Sequence, residues 1–555
     1  MKSKGFTLIE LLAVISILSL LALITSMVVS NSLREAKKDL TETQVKSIKL
    51  AAQAWGADNI NKLPTGNSCG YITLQDLIDD GYLESKIISP DTKEEISTDL
   101  KIKISSQQSK KNLIYEVNSQ SINECSYIGQ IIRVDLPKGL TPVVYDEDKK
   151  SWRVPNTNEE WYNYDEQMWA NAVVLGKGKI KNPGEIVTVE GENPETLMML
   201  VYIPRYEYKI EGDFGKGGQS AAFPGEIEIN FILKTEKGYN AASGYRVHPA
   251  FTFGDQDING FWVGKFELSS VGENLSVDNN LGCNATSCTS DIASLTILPN
   301  KESLSYNNIS NFWYGIKSIE NTNIFGLSNI DSHMIKNSEW GAVAYLSQSK
   351  YGKYGNSDYD NEYKEVYQNK DTGYVTGRSN GTPSQSDSRS EGQCVYNDMQ
   401  DLGVDSNGYK MGKCGPGAST TGNIYGVYDM SGGTYEYVMG AYGLEYPEIS
   451  SSGFAQNIFT SNAIEPKYYD LYANATDSDI NGESLSCNNE ICYGHAISET
   501  TNWYEDYAEK LQSNYSWFGR GGDSYSISGA GVFSRFKGIG FGSGANSTRF
   551  VGIRK

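Results

Sequence analysis

From Phe6 to Val29 the chain is almost unbrokenly apolar, and its one formal charge there is Glu10. About 24 residues rising 1.5 Å each make ~36 Å of helix, enough to span a bilayer. The pattern then changes. Between Ser30 and Asp58 there is no proline, and Leu33, Ala36, Leu40, Ile48, Ala51, Ala52 and Trp55 recur at spacings that keep mostly to one face. Arg34, Glu35, Lys37, Lys38 and Asp39 fill the rest. One helix over 6–58 is therefore predicted, apolar first and amphipathic afterwards. Tyr71–Thr73, Lys101–Ile104, Leu113–Val117 and Gln130–Val134 have the composition of short strands, and Leu74–Tyr82 reads as a short helix. Together they predict a small antiparallel sheet that rests on the long helix and completes a head over 59–137. Beyond about residue 137 the periodic runs give way to Gly, Tyr, Asn and Ser. Leu136-Pro137-Lys138-Gly139-Leu140-Thr141-Pro142 reads as the start of a linker over 138–160, and Trp161–Asp165 with Trp169–Ala172 opens a larger unit over 161–555. That unit exceeds a typical domain. The fold class predicted is α+β.

Glu10 is the informative departure from pure hydrophobicity. A carboxylate at helix-centre depth costs about 2.5–3.5 kcal/mol, and such groups usually have a partner. A secretory signal would place a small-residue cleavage site after a shorter apolar run. Here the natural break, Gly5-Phe6, lies before the run and directly after the basic leader Met1-Lys2-Ser3-Lys4. Cutting there creates an amine on Phe6 that can neutralise Glu10 of a neighbouring subunit in an apolar bundle and so set the register between subunits. The string Lys4-Gly5-Phe6-Thr7-Leu8-Ile9-Glu10-Leu11-Leu12 resembles the N-terminal motif of type IV prepilins and pseudopilins. The resemblance implies cleavage after Gly5, methylation of Phe6 by a prepilin peptidase, and packing of the helix into a filament core. Many such helices carry a proline or glycine partway. Phe6 to Val29 has neither, so a straighter helix is expected.

Composition narrows the rest. A formal charge of −20 excludes a general nucleic-acid surface, which needs clustered Lys and Arg. Eight cysteines fall by proximity into four couples: Cys69 with Cys125, Cys283 with Cys288, Cys394 with Cys414, and Cys487 with Cys492. An even count in an exported chain favours disulfides, although sequence alone does not fix the pairing. The histidines, His248, His333 and His495, complete no recognised zinc spacing, and no metal site is assigned.

Six strings in the later part resemble, in order, the formylglycine-generating-enzyme and C-type-lectin superfamily. They are Val201–Tyr206, Gly260–Glu267, Ser338–Leu346, Asn423–Tyr437, Arg520–Asp523 and Arg549–Arg554. The resemblance implies a compact mixed domain with a short twisted sheet, two helices and long ordered loops. The oxidases of that family hold copper with a cysteine pair just after the Arg-Gly-Gly string, but Ser524 to Arg535 contains no cysteine and no substitute for a soft thiolate pair. No catalytic residues are assigned, and the chain is read as a non-enzyme. Calcium is left open as a cofactor. Asp255–Gly260 and Asp477–Gly482 match the first half of a calcium loop, but the closing positions hold Phe266 and Asn488. In the family's own calcium string Gly433 and Tyr435 replace Asn and Trp while Glu436 remains. The late segment, rich in Tyr, Trp, Phe and Arg, has the composition of a recognition surface, and in the resembling lectin-like proteins it supplies the ligand-facing loop. Tyr525, Ser528, Phe533, Arg535 and Phe536 are the candidate ligand-binding residues.

These readings predict a type IV pilin-like subunit. Its membrane-inserted precursor would pass into a cell-surface filament and display a large lectin-like domain for adhesion. The expected partners are other pilin subunits, a prepilin peptidase, a membrane assembly platform, and an unidentified surface glycan or protein. The alternatives are a pseudopilin of a secretion or DNA-uptake machine and a membrane-tethered enzyme on the lectin-like fold.

Overall fold

The computed structural model describes residues 42–555 apart from 65–67, 85–86, 89–94, 99, 108–109, 118–124, 130–131, 192–193, 211–223, 235–237, 241–242, 272–280, 285–286, 289–291, 322–323, 381–393, 444–449, 456, 462, 474–485, 488–489, 510 and 512–514. The expected leader over 1–5 and the helix over 6–41 lie outside the described residues. Among the described residues no helix is long and apolar enough to cross a membrane. The chain divides into two compact units, 1–131 and 132–555; both are mixed α+β, and the larger has more sheet than helix among its described residues.

In the smaller unit helix α1 (42–58) is the described part of the amphipathic segment. Its Ile48, Ala51, Ala52 and Trp55, the positions picked out by periodicity, are buried against Ile72, Leu74, Leu77, Ile102 and Ile104. The Trp55 indole donates to Asp80 Oδ2 at 2.8 Å. Strands β1 (Cys69–Thr73), β2 (Lys101–Gln107) and β3 (Lys110–Val117) form the antiparallel part of the sheet. Between β1 and β2 helix α2 (Leu74–Asp79) starts on a reciprocal Thr73–Asp76 cap. The fourth strand differs from expectation. It is β4 (Ser126–Tyr127), which runs parallel to β1, while residues 132–134 form no strand. Cys125 is bonded to Cys69, which ties the chain to β1 immediately before β4 and sets where pairing begins.

The larger unit is built on two main sheets and a smaller four-stranded one made of Tyr206–Ile210, Ile227–Phe231, Tyr239–Asn240 and Tyr245–Val247. In chain order its main strands are β5 (Leu140–Asp146), β6 (Ser151–Arg153), β7 (Asn171–Val174), β8 (Ile186–Val187), β9 (Met198–Pro204), β10 (Gly260–Gly264), β11 (Ile330–Met334), β12 (Tyr435–Tyr442), β13 (Asp470–Tyr472), β14 (Trp517–Gly521), β15 (Gly531–Gly538), β16 (Asn546–Thr548) and β17 (Phe550–Arg554). The first sheet has eight strands in the order β11-β17-β10-β9-β7-β5-β6-β8. Strands β9 and β10 are continuous apolar runs, and every residue in them is buried, as expected of strands covered on both faces. The expected linker over 138–160 is instead part of this sheet: Leu140 pairs with Val174 and Tyr145 with Trp152. Val143, Val144, Tyr145 and Trp152 are good strand formers that bury themselves, so Pro137 and Gly139 punctuate the entry to a strand rather than a free tether. The second sheet runs β13-β12-β14-β15, with β16 parallel to β12.

Helix α3 (Ile309–Ser318) is capped by the Asn308 side chain. Helix α4 (Asn337–Ser347) is buried on all sides: Trp340–Leu346 is an apolar run, and the polar first turn is answered by hydrogen bonds of Asn337 to His495 O, Ser338 to Asp470 and Glu339 to His333. It links the second sheet to the smaller one: Trp340 Nε1 donates to Val532 O in β15 at 2.8 Å, and Tyr206 Oη, in the Tyr206–Ile210 strand of the smaller sheet, donates to Ala342 O at 2.7 Å. Gly341 is required there, because a Cβ would lie 2.1 Å from Gly494 O.

Candidate functional site

The processing and assembly residues Gly5, Phe6 and Glu10 lie outside the described residues. The late segment is fully described from Tyr515 onward, and it sorts the five candidate ligand residues into two groups. Phe533 and Arg535, on β15, are core residues, 1% and 0% exposed. The Phe533 ring lies 5.2 Å from Trp503, edge to face, and stacks on Tyr504. Arg535 donates from Nε to Glu509 O at 3.0 Å and from Nη1 to Ile497 O at 3.1 Å. It fastens two loops to the sheet and presents nothing to solvent. Tyr525, Ser528 and Phe536 are half-buried.

Around those three the structure gathers residues that were not among the five candidates. Tyr435, which begins β12, lies 4.1 Å from the Phe536 ring, and its hydroxyl shares a 2.8 Å hydrogen bond with Ser526 Oγ. Tyr374 is 6.2 Å from Tyr525. Asp523 Oδ1 accepts from Ser526 Oγ at 2.7 Å and from Tyr525 N at 3.2 Å, which fixes the turn that carries Tyr525 and Ser528. The result is a half-exposed aromatic face assembled from three separate stretches of sequence. Only its 525–536 stretch was legible beforehand as a surface: Tyr374 sits in a segment whose composition resembles any other Gly- and Tyr-rich loop, and Tyr435, inside the family-like string Asn423–Tyr437, carries no local sign that it meets Phe536.

Behind this face lies a buried charge cluster. Arg549 donates from Nε to Glu436 Oε2 at 2.9 Å, pairs its Nη2 with Glu436 Oε1, and reaches the carbonyls of Gly264 (2.8 Å) and Tyr428 (2.9 Å). Asp429 accepts from Asn369 Nδ2 and Gly377 N, each at 2.9 Å. Glu267 accepts from Thr434 N at 2.9 Å and from Ser303 Oγ. Burial, with Asp429 and Glu436 adding to it, pushes the Glu267 carboxyl well above the usual range. Burial lifts Glu436 to about 7 against the opposing pull of Arg549. Four of the six family-like strings, 260–267, 423–437, 520–523 and 549–554, contribute to this cluster or the strands beside it.

This arrangement does not fit calcium. Both Glu436 oxygens are taken by Arg549. Gly433 supplies no ligand, has φ +73°, and a Cβ there would lie 2.6 Å from Glu267 Oε1, so the Glu267 carboxylate fills the place a side chain at 433 would use. Of the two half-matching calcium loops, Asp477–Gly482 lies outside the described residues. In the other, Asp257 faces Arg205 at 3.3 Å and the closing position, Phe266, is packed against Tyr428.

All eight cysteines are in disulfides, in the four couples expected from their proximity. Cys394 and Cys414 gather with Asp398 in a constellation that could suit a metal, but both sulfurs are used in the bond between them. The three histidines are all buried: His333 Nε2 meets Glu339 Oε1 at 3.0 Å and His495 Nδ1 meets Tyr472 Oη at 2.8 Å.

A family model described as the prokaryotic N-terminal methylation motif matches residues 1–26. That match supports a precursor with a type IV pilin- or pseudopilin-like N-terminus. No curated protein matches the chain. For such a precursor the motif implies a prepilin peptidase and other pilin subunits as partners, with a membrane-anchored form preceding an extracellular filament. Four disulfides suit that oxidising destination.

Proposed function

We propose that this pilin-like precursor becomes a subunit of a type IV filament and carries its larger unit outward as a lectin-like, non-catalytic recognition domain. The observation that carries the reading is the union, on one chain, of a methylation motif at 1–26 and a separate compact unit over 132–555. The order of the six strings supports the lectin-like assignment, since they supply the two adjacent central strands, helix α4 and the buried cluster around Arg549. The absence of cysteine between Ser524 and Arg535 supports recognition over oxidase chemistry, as every thiol of the chain is already committed to a disulfide. Recognition is assigned to the half-exposed face of Tyr374, Tyr435, Tyr525, Ser528 and Phe536. A minor or tip position is preferred over the shaft, because a unit of this size is placed more easily once than on every subunit.

The test is imaging of sheared surface filaments together with mass analysis of the N-terminal peptide. The expected result is a peptide beginning at N-methylated Phe6, with the larger unit labelled at filament ends. A chain retaining Met1 and absent from filaments would overturn the reading.

A further inference from the structure

On the outward face of the second sheet, register gathers rings from separate strands. Tyr437 pairs with Gly519 and Gly519 with Phe536, and residues paired across a ladder share a face. Gly519 leaves that face bare, and the Phe536 ring lies across it where a Cβ at 519 would stand. Tyr435, two residues before Tyr437, is 4.1 Å from the same ring. Beyond β15 the chain adds an edge. Ala508 bridges Arg535 in parallel, with Arg535 N donating to Tyr507 O at 2.8 Å and Glu509 N to Arg535 O at 3.0 Å. Ala508 therefore shares the core face of Arg535, while Tyr507 and Glu509, one position to either side, fall on the outward face with Phe536. Tyr507 is 56% exposed. We propose, resting on the recognition already assigned to this surface, that it docks a basic protein segment by taking an arginine side chain over its rings.

Charge decides the kind of partner. Arg520, Arg535 and Lys537, the cations of β14 and β15, have the parity of the opposite face: Arg520 pairs with Arg535, both 0% exposed, and Lys537 Nζ lies over Tyr515 at 5.4 Å. Strands β12 and β16 contain no Lys or Arg. The outward side is left with aromatic faces and the Glu509 carboxylate. Burial holds the Tyr435 phenol above its usual pKa, and Asp523 and Glu509 raise it further, so carboxylate charge reaches these rings. Aromatic faces attract cations, Arg more often than Lys. A guanidinium is planar and weakly hydrated, so it stacks flat on a ring and still offers N–H groups to a carboxylate. The net charge of −20 steers a basic partner toward the surface. Rings spread over β12, β15 and the edge suit a side chain presented by a protein, where Tyr and Arg dominate recognition.

The rim beside these rings is strained. Asn502, Tyr504 and Glu505 (φ +59°, +56° and +68°) and Ile527 (φ +51°) hold left-handed backbone, which side chains disfavour and a β-branched one most of all. Tyr507 N donates to Gly529 O at 3.0 Å and ties the two loops together. Such strain gathers at ligand-holding sites, and here it fixes Tyr507 before a partner arrives.

The experiment is fluorescence anisotropy on the full chain in detergent at about 0.15 M salt, where exposed charges more than roughly 8 Å apart are largely screened. The probes are fluorescein-labelled peptides of repeated Gly-Ser-Arg and repeated Gly-Ser-citrulline, the second matching the first in shape without its charge. The arginine peptide should bind saturably and the citrulline peptide about tenfold more weakly or less. Tyr507→Leu, whose fold is checked by its circular dichroism melt, leaves every charge in place and should weaken the arginine peptide about threefold or more, whereas Tyr507→Phe, which keeps a ring, should stay within about twofold of wild type. No saturable binding of the arginine peptide, equal binding of the two peptides, or binding unchanged by Tyr507→Leu would each overturn the proposal, the last by showing only a general attraction to an acidic chain. Equal binding that Tyr507→Leu weakens for both peptides would remove the cationic guest and leave recognition at this face standing. None of these results bears on whether the chain enters filaments, so the two readings fail separately.

Discussion

Replacing Arg549 by methionine tests the electrostatic logic at the centre of the larger unit. Arg549 and Glu436 are both 0% exposed, and the guanidinium answers one carboxylate and two carbonyl oxygens. Removing one partner of a buried pair typically costs about 3–5 kcal/mol, because the other charge is left uncompensated. The pH dependence identifies the cause. The Glu436 carboxyl stands at about 7 in the folded chain, above its unfolded value, so the folded state keeps a proton that the unfolded state gives up. The stability tied to this group is therefore full at low pH and falls as pH rises from the unfolded value through about 7. Without Arg549 the folded value rises further, and each extra pH unit costs up to about 1.4 kcal/mol. Urea unfolding of the full chain, followed by tryptophan fluorescence, should show a deficit of ~3–5 kcal/mol near pH 8 and one smaller by at least ~1 kcal/mol near pH 6. Adding Glu436→Gln should recover part of the loss near pH 8. Equal deficits at the two pH values, or a deficit under ~1 kcal/mol near pH 8, would refute the argument.

Phe533→Ala should cost ~3–5 kcal/mol in the same assay, as large-to-small changes in a packed core do, whereas Tyr525→Ala should leave the unfolding midpoint near wild type and be visible only in adhesion. Burial holds His248 well below its usual pKa and lowers His495, so both stay neutral where the unfolded chain would protonate. Stability should then fall as pH drops below about 6.5, by up to ~1.4 kcal/mol per unit for each group, and His495→Gln should flatten that limb in a melt series. The Cys69–Cys125 bond closes a separation of 56 residues and should contribute about 4 kcal/mol on the chain-entropy relation, against about 2 for a separation of 5 such as Cys283–Cys288. Paired Cys→Ser variants compared by urea unfolding check that order. Calcium at millimolar excess should leave the melting temperature of the EDTA-treated chain unchanged, because a ligand without a site gives no linkage stabilisation.

What the sequence discloses depends on whether a single stretch carries the signal. The amphipathic positions Ile48, Ala51, Ala52 and Trp55 could be read directly because helical periodicity is a property of one segment, and the structure buries all four. Strands β9 and β10 carry an equally local signal, unbroken apolar runs buried on both faces, but Val201–Tyr206 and Gly260–Glu267 read only as family-like strings and not as strands. The failures share a different origin. Punctuation by Pro137, Gly139 and Pro142 looks alike whether it frees a linker or turns the chain into β5, and only pairing with β7, a partner about 30 residues away, decides between them. Phe533 and Arg535 have the residue types of a recognition surface, yet Trp503, Tyr504, Ile497 and Glu509 cover them, and these come from loops whose return to β15 no local pattern encodes.

The aromatic face shows the converse. Tyr435 is brought against Phe536 because β12 and β15 both flank β14: β15 follows β14 closely in the chain, but the pairing of β12 with β14 joins residues about 80 apart in sequence, as with Tyr437 and Gly519. A Tyr-rich composition therefore supplies the material of a binding surface without saying which rings reach it. Sheet order makes that choice: of the two aromatic residues in β15, Phe533 is turned into the core and Phe536, an odd number of positions later, falls on the opposite face beside Tyr435. Phe536 is paired opposite Gly519, in the regular part of the β14–β15 ladder, so shifting β15 by one residue there would turn its ring away from Tyr435, and the identity of the exposed ring is a statement about register before it is one about recognition.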